Sequence, residues 1–255
     1  MRRLLAATAA LAALVAGCGS DDGSRPGDRP RLTVSAATSL TSAFESYGPR
    51  FAPAIVRFNF AGSDELAAQI RQGVKPDVYA AANTKLPDQL FEEGLVEKPV
   101  RFAGNRLVIV VPADPEDVSS LADLGRDGVQ LAIGAEGVPV GDYTLEVVGR
   151  LPPSQRRSIL ANVRSEEPDV GGVVGKLTQG AADAGFLYIT DVKAAERQVR
   201  AIELPRELQP NVEYAAAVVR GAKEAPAGRE FIEDLVDGVG RDAMRDAGFG
   251  PPPGR

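Results

Sequence analysis

Leu32-Thr-Val-Ser-Ala-Ala-Thr-Ser-Leu-Thr-Ser-Ala-Phe44 is the stretch that decides how the chain folds. Its first residues have strand character, small and hydroxyl residues follow at Thr38 and Ser39, and Leu40, Ala43 and Phe44 then share one face of a helix. A strand therefore enters a tight turn and leaves as a helix that begins at a serine. Such a junction leaves unpaired backbone N–H groups at the positive end of a helix dipole, with a hydroxyl beside them, which together make a simple anion site. The same residues also suit a plain N-cap, in which the Ser39 oxygen is consumed by its own helix. The junction alone leaves both readings open.

Outward from it, the pattern repeats. Residues 55–60 are strand-like, Ala61-Gly-Ser63 is a turn, and residues 64–72 form a helix with Leu66, Ala67 and Ile70 inward. Asp64 and Glu65 fall in the first turn of that helix, where carboxylates suit the dipole, so Ser63 carries the same two readings as Ser39. A strand at 77–81, a helix at 86–93 ended by Gly94 and a buried strand at 106–111 stopped by Pro112 complete a βαβα succession. That succession predicts a parallel sheet with ligands at the carboxyl ends of its strands. A second alternating unit follows: a short helix at 121–124, a strand at 130–134, and a helix at 142–150 after the Gly137-Val-Pro-Val-Gly141 turn. Asp169 reads as the N-cap of a helix running to Gln179, with the Val170 amide among its first free donors. Strands are expected at 184–188, 200–204 and 212–219, closing helices at 231–236 and 242–247, and a loose tail at 251–255.

Composition limits the function. With 255 residues, 44% hydrophobic and 25% charged, the chain suits one large or two ordinary globular domains. A net charge of −6 argues against nucleic acid and against a polybasic membrane patch. The absence of histidine removes Ser-His-Asp and Cys-His catalysis, histidine metal sites and the commonest general base. The single cysteine, Cys18, excludes an internal disulfide and a cysteine zinc site. Gly171-Gly-Val-Val-Gly-Lys176 is one residue short of a P-loop and has Leu177 where magnesium would need a hydroxyl. Gly238-Val-Gly-Arg-Asp-Ala243 matches a dinucleotide fingerprint, but it follows a helix rather than a strand. Neither G-x-S-x-G nor S-x-x-K occurs, which with the absent histidine argues against a serine hydrolase; the chain reads as a binder rather than an enzyme, with an unrecognised enzyme as the rival class.

Residues 1–17 read as a signal peptide: Arg2 and Arg3 precede an apolar run at 4–16 that is too short to span a bilayer. Leu14-Val-Ala-Gly-Cys18 resembles a bacterial lipobox, which implies cleavage before Cys18 and lipidation of its thiol. A plain secretory signal with an incidental cysteine is the alternative. Residues 18–30, rich in Gly, Asp, Ser and Pro, read as a flexible tether.

Several short motifs in register carry a wider resemblance. Ala37-Thr-Ser39-Leu-Thr, Phe60-Ala-Gly-Ser63 with Leu66-Ala-Ala-Gln-Ile, Lys75-Pro-Asp-Val-Tyr, Asn105-Arg-Leu-Val-Ile-Val-Val-Pro112, Val138-Pro-Val-Gly-Asp-Tyr143, Asp169-Val170 and Gly185-Phe-Leu-Tyr188 resemble the ModA-type molybdate-binding proteins of ABC transporters. The resemblance implies a type II periplasmic binding protein fold, with two α/β lobes joined by two crossing segments and closing on an oxyanion. Residues 31–110 and 213–250 would form one lobe and 111–212 the other. It implies ligand contacts from the hydroxyl and amide of Ser39 and of Ser63, the amides of Val140 and Val170, and the Tyr188 hydroxyl. These five would touch the oxygens of the oxyanion rather than the metal. It further implies a monomeric, lipid-anchored receptor on the extracytoplasmic side, without a cofactor, serving a membrane permease and taking molybdate and tungstate. Val140 stands where the family commonly has alanine, and its two extra methyls threaten to narrow the cleft. Asp64 stands where a hydroxyl is common, and a carboxylate there is expected to face solvent or a helix end.

Residue chemistry supports the same ligand class. Molybdate at neutral pH is a fully deprotonated tetrahedral dianion, so its oxygens only accept, and a pocket of amides and hydroxyls needs no arginine or lysine. Phosphate keeps a proton and needs an acceptor, whose lack costs about 1–3 kcal/mol. Sulfate, the other alternative ligand, matches in charge and must be separated by size.

Overall fold

The computed structural model describes residues 29–114, 118–195 and 197–252. Cys18, the signal and nearly all of the tether lie outside the described residues, as does most of the tail. The remainder forms two lobes, each a five-stranded mixed sheet covered by helices. In the first lobe, β1 (Arg31–Ala37) pairs in parallel with β2 (Ile55–Ala61) and β3 (Val78–Ala81), and β4 (Val100–Asn105) lies at the far edge. The second lobe holds β5 (Leu107–Pro112), β6 (Leu131–Gly134), β7 (Val163–Glu167), β8 (Ala184–Tyr188) and β9 (Val199–Glu203), in the order β7-β6-β8-β5-β9. The chain then returns, and β10 (Val212–Val218) inserts between β3 and β4, antiparallel to both.

The purely parallel sheet expected from the βαβα pattern is therefore not formed. β1, β2 and β3 run toward the cleft, whereas β10 starts there, because it arrives directly from the other lobe; periodicity carries no record of that direction. The first crossing also falls earlier than residue 110. β5 already pairs with β8 and β9, so the chain changes sheets at Arg106. Two strands and two α-helices of the described residues were not legible. β4 contains Gly104 and Asn105, poor strand formers, and is held in register by β10; β7 is a polar edge strand. The others are the helices named α5 and α7 below.

Helices α1 (Thr41–Tyr47), α2 (Ser63–Arg71), α3 (Lys85–Glu92), α8 (Ala225–Asp237) and α9 (Val239–Ala247) cover the first sheet. The second carries α4 (Pro139–Gly149), α5 (Pro153–Ala161), α6 (Val170–Thr178) and α7 (Ile189–Ala194). α4 starts at Pro139 rather than at residue 142, since proline at the first helical position is preset for the helix and loses no needed donor. Phe231 of α8 locks the first lobe together: its ring lies 5.6 Å from Phe44 and 4.8 Å from Tyr47, both on α1. Truncating so buried a ring costs about 3–5 kcal/mol.

Candidate ligand-binding cleft

Helix starts and one strand end from the two lobes converge on a single cavity. Ser39 lies in a single 3-10 turn (Thr38–Leu40) after β1, and α1 begins only at Thr41. Its hydroxyl caps no helix; it shares a 3.0 Å hydrogen bond with the Tyr214 hydroxyl. Ser63 is the first residue of α2, with Gly62 in the capping position, and its Oγ accepts from the Ala82 amide at 3.1 Å. The N-cap reading thus fails for both serines. Val140 is the second residue of α4 and Val170 the first of α6, where backbone N–H groups have no partner within the helix. Asp169 is the N-cap read from the sequence: its Oδ1 accepts from the Gly172 amide at 2.9 Å. Tyr188 ends β8 and precedes α7.

All five residues are buried, and all five line one cavity of about 20 Å³ together with Thr38, Gly62 and Asp169. A water needs about 10–15 Å³ of such space, so the void suits one compact ion rather than a ring or a chain. No lysine or arginine lines it among the described residues. Asp169 brings the single carboxylate, and both its oxygens are engaged, Oδ1 by Gly172 and Oδ2 by the Thr38 hydroxyl at 2.9 Å. The Tyr188 hydroxyl is buried and has no hydrogen-bond partner among the described residues. Burial pushes its pKa well above the ordinary tyrosine value, so it stays protonated and can donate. Asp191 accepts from the Tyr188 amide at 3.0 Å, and burial raises its own pKa to about 8.

Two packing details set the cleft's shape. A Cβ on Gly134 would sit 2.6 Å from Val140 Cγ1, so one methyl of Val140 takes space left free over β6 instead of projecting into the cleft. A Cβ on Gly62 would lie 2.6 Å from the Pro168 carbonyl of the opposite lobe, so glycine permits the lobes to touch. Thr38 to Asp169, and Lys85 to Asp142 at 3.2 Å, are further cross-lobe contacts. Asp64 sits at the N-terminus of α2, off the cavity wall, with Oδ1 buried and without a hydrogen-bond partner among the described residues. Among the described residues no cluster of His, Cys, Asp or Glu could hold a bare metal ion.

Thr38, Asn105, Asp191 and Tyr214 escaped the sequence reading as parts of this site. One signal existed: Tyr214 is the lone tyrosine in the otherwise apolar run 214–219, and a buried phenol needs a hydrogen-bond partner.

Two α/β lobes meeting over a small cavity of neutral donors define a two-lobed solute-binding protein. The chain belongs to the bacterial extracellular solute-binding proteins, whose family pattern it matches over residues 32–250. A relative from Mycobacterium tuberculosis (strain ATCC 25618 / H37Rv), the molybdate-binding protein ModA, is 35% identical, with 94% of this chain and 95% of that one aligned. Among solved structures, the substrate-binding domain of a molybdenum ABC transporter from Clostridium difficile is 27% identical with a TM-score of 0.65, covering 87% of this chain and 98% of that one. The periplasmic molybdate-binding protein of Azotobacter vinelandii shares the fold at 21% identity and a TM-score of 0.77, over 87% of this chain and 99% of that one. These relatives are binding proteins by name.

Proposed function

We propose that this protein captures molybdate, and tungstate with it, outside the cytoplasm and delivers it to an ABC importer in the membrane. The observation that carries this reading is the Tyr188 hydroxyl, buried and without a hydrogen-bond partner among the described residues, on the wall of a cavity whose other polar groups are helix-start amides, the hydroxyls of Thr38, Ser39 and Ser63, and an Asp169 carboxylate with both oxygens already engaged. A buried hydroxyl without a partner costs about 1–3 kcal/mol, and an acceptor-only ligand removes that cost. Ser39, Ser63, Val140, Val170 and Tyr188 then supply donors from both lobes, and binding favours closure of one lobe on the other. The names of the aligned relatives point to the same ion.

Calorimetry of the full-length protein against molybdate, tungstate, sulfate and phosphate tests the assignment. Molybdate is expected to bind at least ~100-fold better than phosphate. Equal or tighter binding of sulfate or phosphate overturns the reading in favour of another oxyanion receptor.

Lipidation of Cys18 completes the proposal, keeping the receptor at the membrane beside its permease. Acyl chains partition at about 0.8 kcal/mol per buried methylene, so the wild type is expected in the membrane fraction and Cys18→Ala in the soluble one. A wholly soluble wild type in its native host refutes the anchor.

A further inference from the structure

We propose that Asn105 and Tyr214 are positioning residues, forming a one-way hydrogen-bond relay that commits the Ser39 hydroxyl to donate into the cleft. This deepens the oxyanion reading and rests on it. The direction of the relay follows from its first member. Asn105 Oδ1 accepts from the Arg106 amide at 2.9 Å, and since a backbone N–H can only donate, the side-chain amide has a single orientation. Its Nδ2 is therefore the group that donates to Thr190 Oγ1 at 2.9 Å and to Tyr214 Oη at 3.4 Å. Asn105 Nδ2 cannot accept, so Ser39 Oγ, 3.0 Å away, is the acceptor that the described contacts leave for the single Tyr214 proton, and the relay assigns that proton to it. Ser39 in turn keeps its proton for the cavity that it lines.

The surroundings favour this order over its reverse. Tyr214 is fully buried, and burial raises its pKa well above the ordinary value, so it remains a donor. Its ring is fixed by Phe102, Tyr188 and Phe249 at centroid distances of 6.2, 5.8 and 5.2 Å. Asn105 ends β4 immediately before the first crossing, and Tyr214 lies two residues into β10, just after the second. Thr190 belongs to the opposite lobe. The relay thus runs from the joint between the lobes to the ligand, and its proton order matches a fully deprotonated oxyanion.

A double-mutant cycle on the full-length protein, read by molybdate calorimetry, tests the relay. Tyr214→Phe keeps the ring and deletes the hydroxyl, and is expected to weaken molybdate about tenfold. In a Ser39→Ala background the same change is expected to cost less than about twofold, because there is no serine proton left to direct. Asn105→Ala repeats the test without touching the tyrosine: a loss of about threefold, again absent beside Ser39→Ala, is expected. Multiplying losses in both backgrounds, or unchanged affinity in both variants with Ser39 intact, overturns the relay and leaves the molybdate reading standing. A wild type that binds no molybdate overturns that reading and the relay with it.

Discussion

The first lobe brings two serine hydroxyls to the cleft and braces both, Ser63 by the Ala82 amide and Ser39 by Tyr214. The second brings two helix-start amides and a tyrosine hydroxyl with no hydrogen-bond partner among the described residues. Donors oriented before the ligand arrives lose little freedom on binding, whereas an unsatisfied one gains most when an acceptor fills the cavity. The contrast predicts that losing a donor costs the ligand-free protein differently on the two sides of the cleft.

The sharpest way to break the first lobe's side of the comparison is a charge. Ser39→Asp and Ser63→Asp are each expected to fold normally, by circular dichroism and thermal melting, and to lose at least ~1,000-fold in molybdate affinity, since a carboxylate faces a dianion. Unchanged affinity in either removes that serine from the site.

A subtler pair separates braced from unbraced donors. Ser63→Ala and Tyr188→Phe should each weaken molybdate by about 10- to 100-fold, the equivalent of about 1.5–3 kcal/mol for a charge-assisted hydrogen bond. Their effects on the ligand-free protein should differ in sign. Ser63→Ala strands the buried Ala82 N–H and is expected to destabilise by about 1–3 kcal/mol, while Tyr188→Phe removes an already unsatisfied hydroxyl and should leave stability equal or about 1 kcal/mol higher. Urea unfolding of both variants measures this; a destabilised Tyr188→Phe contradicts the comparison.

The pH dependence should come from the second lobe. Burial raises Asp191 from 3.8 to about 8, helped by the nearby Asp169 charge and opposed by the hydrogen bond from the Tyr188 amide. Between those two values the unfolded chain has lost the proton that the folded one keeps, so this group lowers stability as pH rises through the window. Above pH 8 it ionises beside Tyr188 and opposes the anion. Molybdate affinity is expected to fall by about tenfold from pH 7 to pH 9 in the wild type and to stay flat in Asp191→Asn.

The smallest effect belongs to the backbone donors. Val140→Ala keeps the amide, and one of the two methyls it removes packs over Gly134, so affinity should change by less than about threefold in the same calorimetric titration.

Val140 and Tyr188 were singled out only through the family resemblance, while the sequence by itself determined the alternation of strands and helices, the strand-turn-helix junctions at Ser39 and Ser63 and the Asp169 cap with the Val170 amide behind it. These are local: turn residues, apolar periodicity and cap chemistry act over a few positions and leave their mark in composition. Tertiary structure decided what depends on distance along the chain. The antiparallel insertion of β10, the sheet that β5 joins and the existence of β4 all follow from the two crossings, which have no local signature. It also decided against the cap reading of the two serines. That outcome rested on Tyr214, 175 residues from Ser39, and on Ala82, 19 residues from Ser63, because a hydroxyl's role is set by whichever partner packs against it.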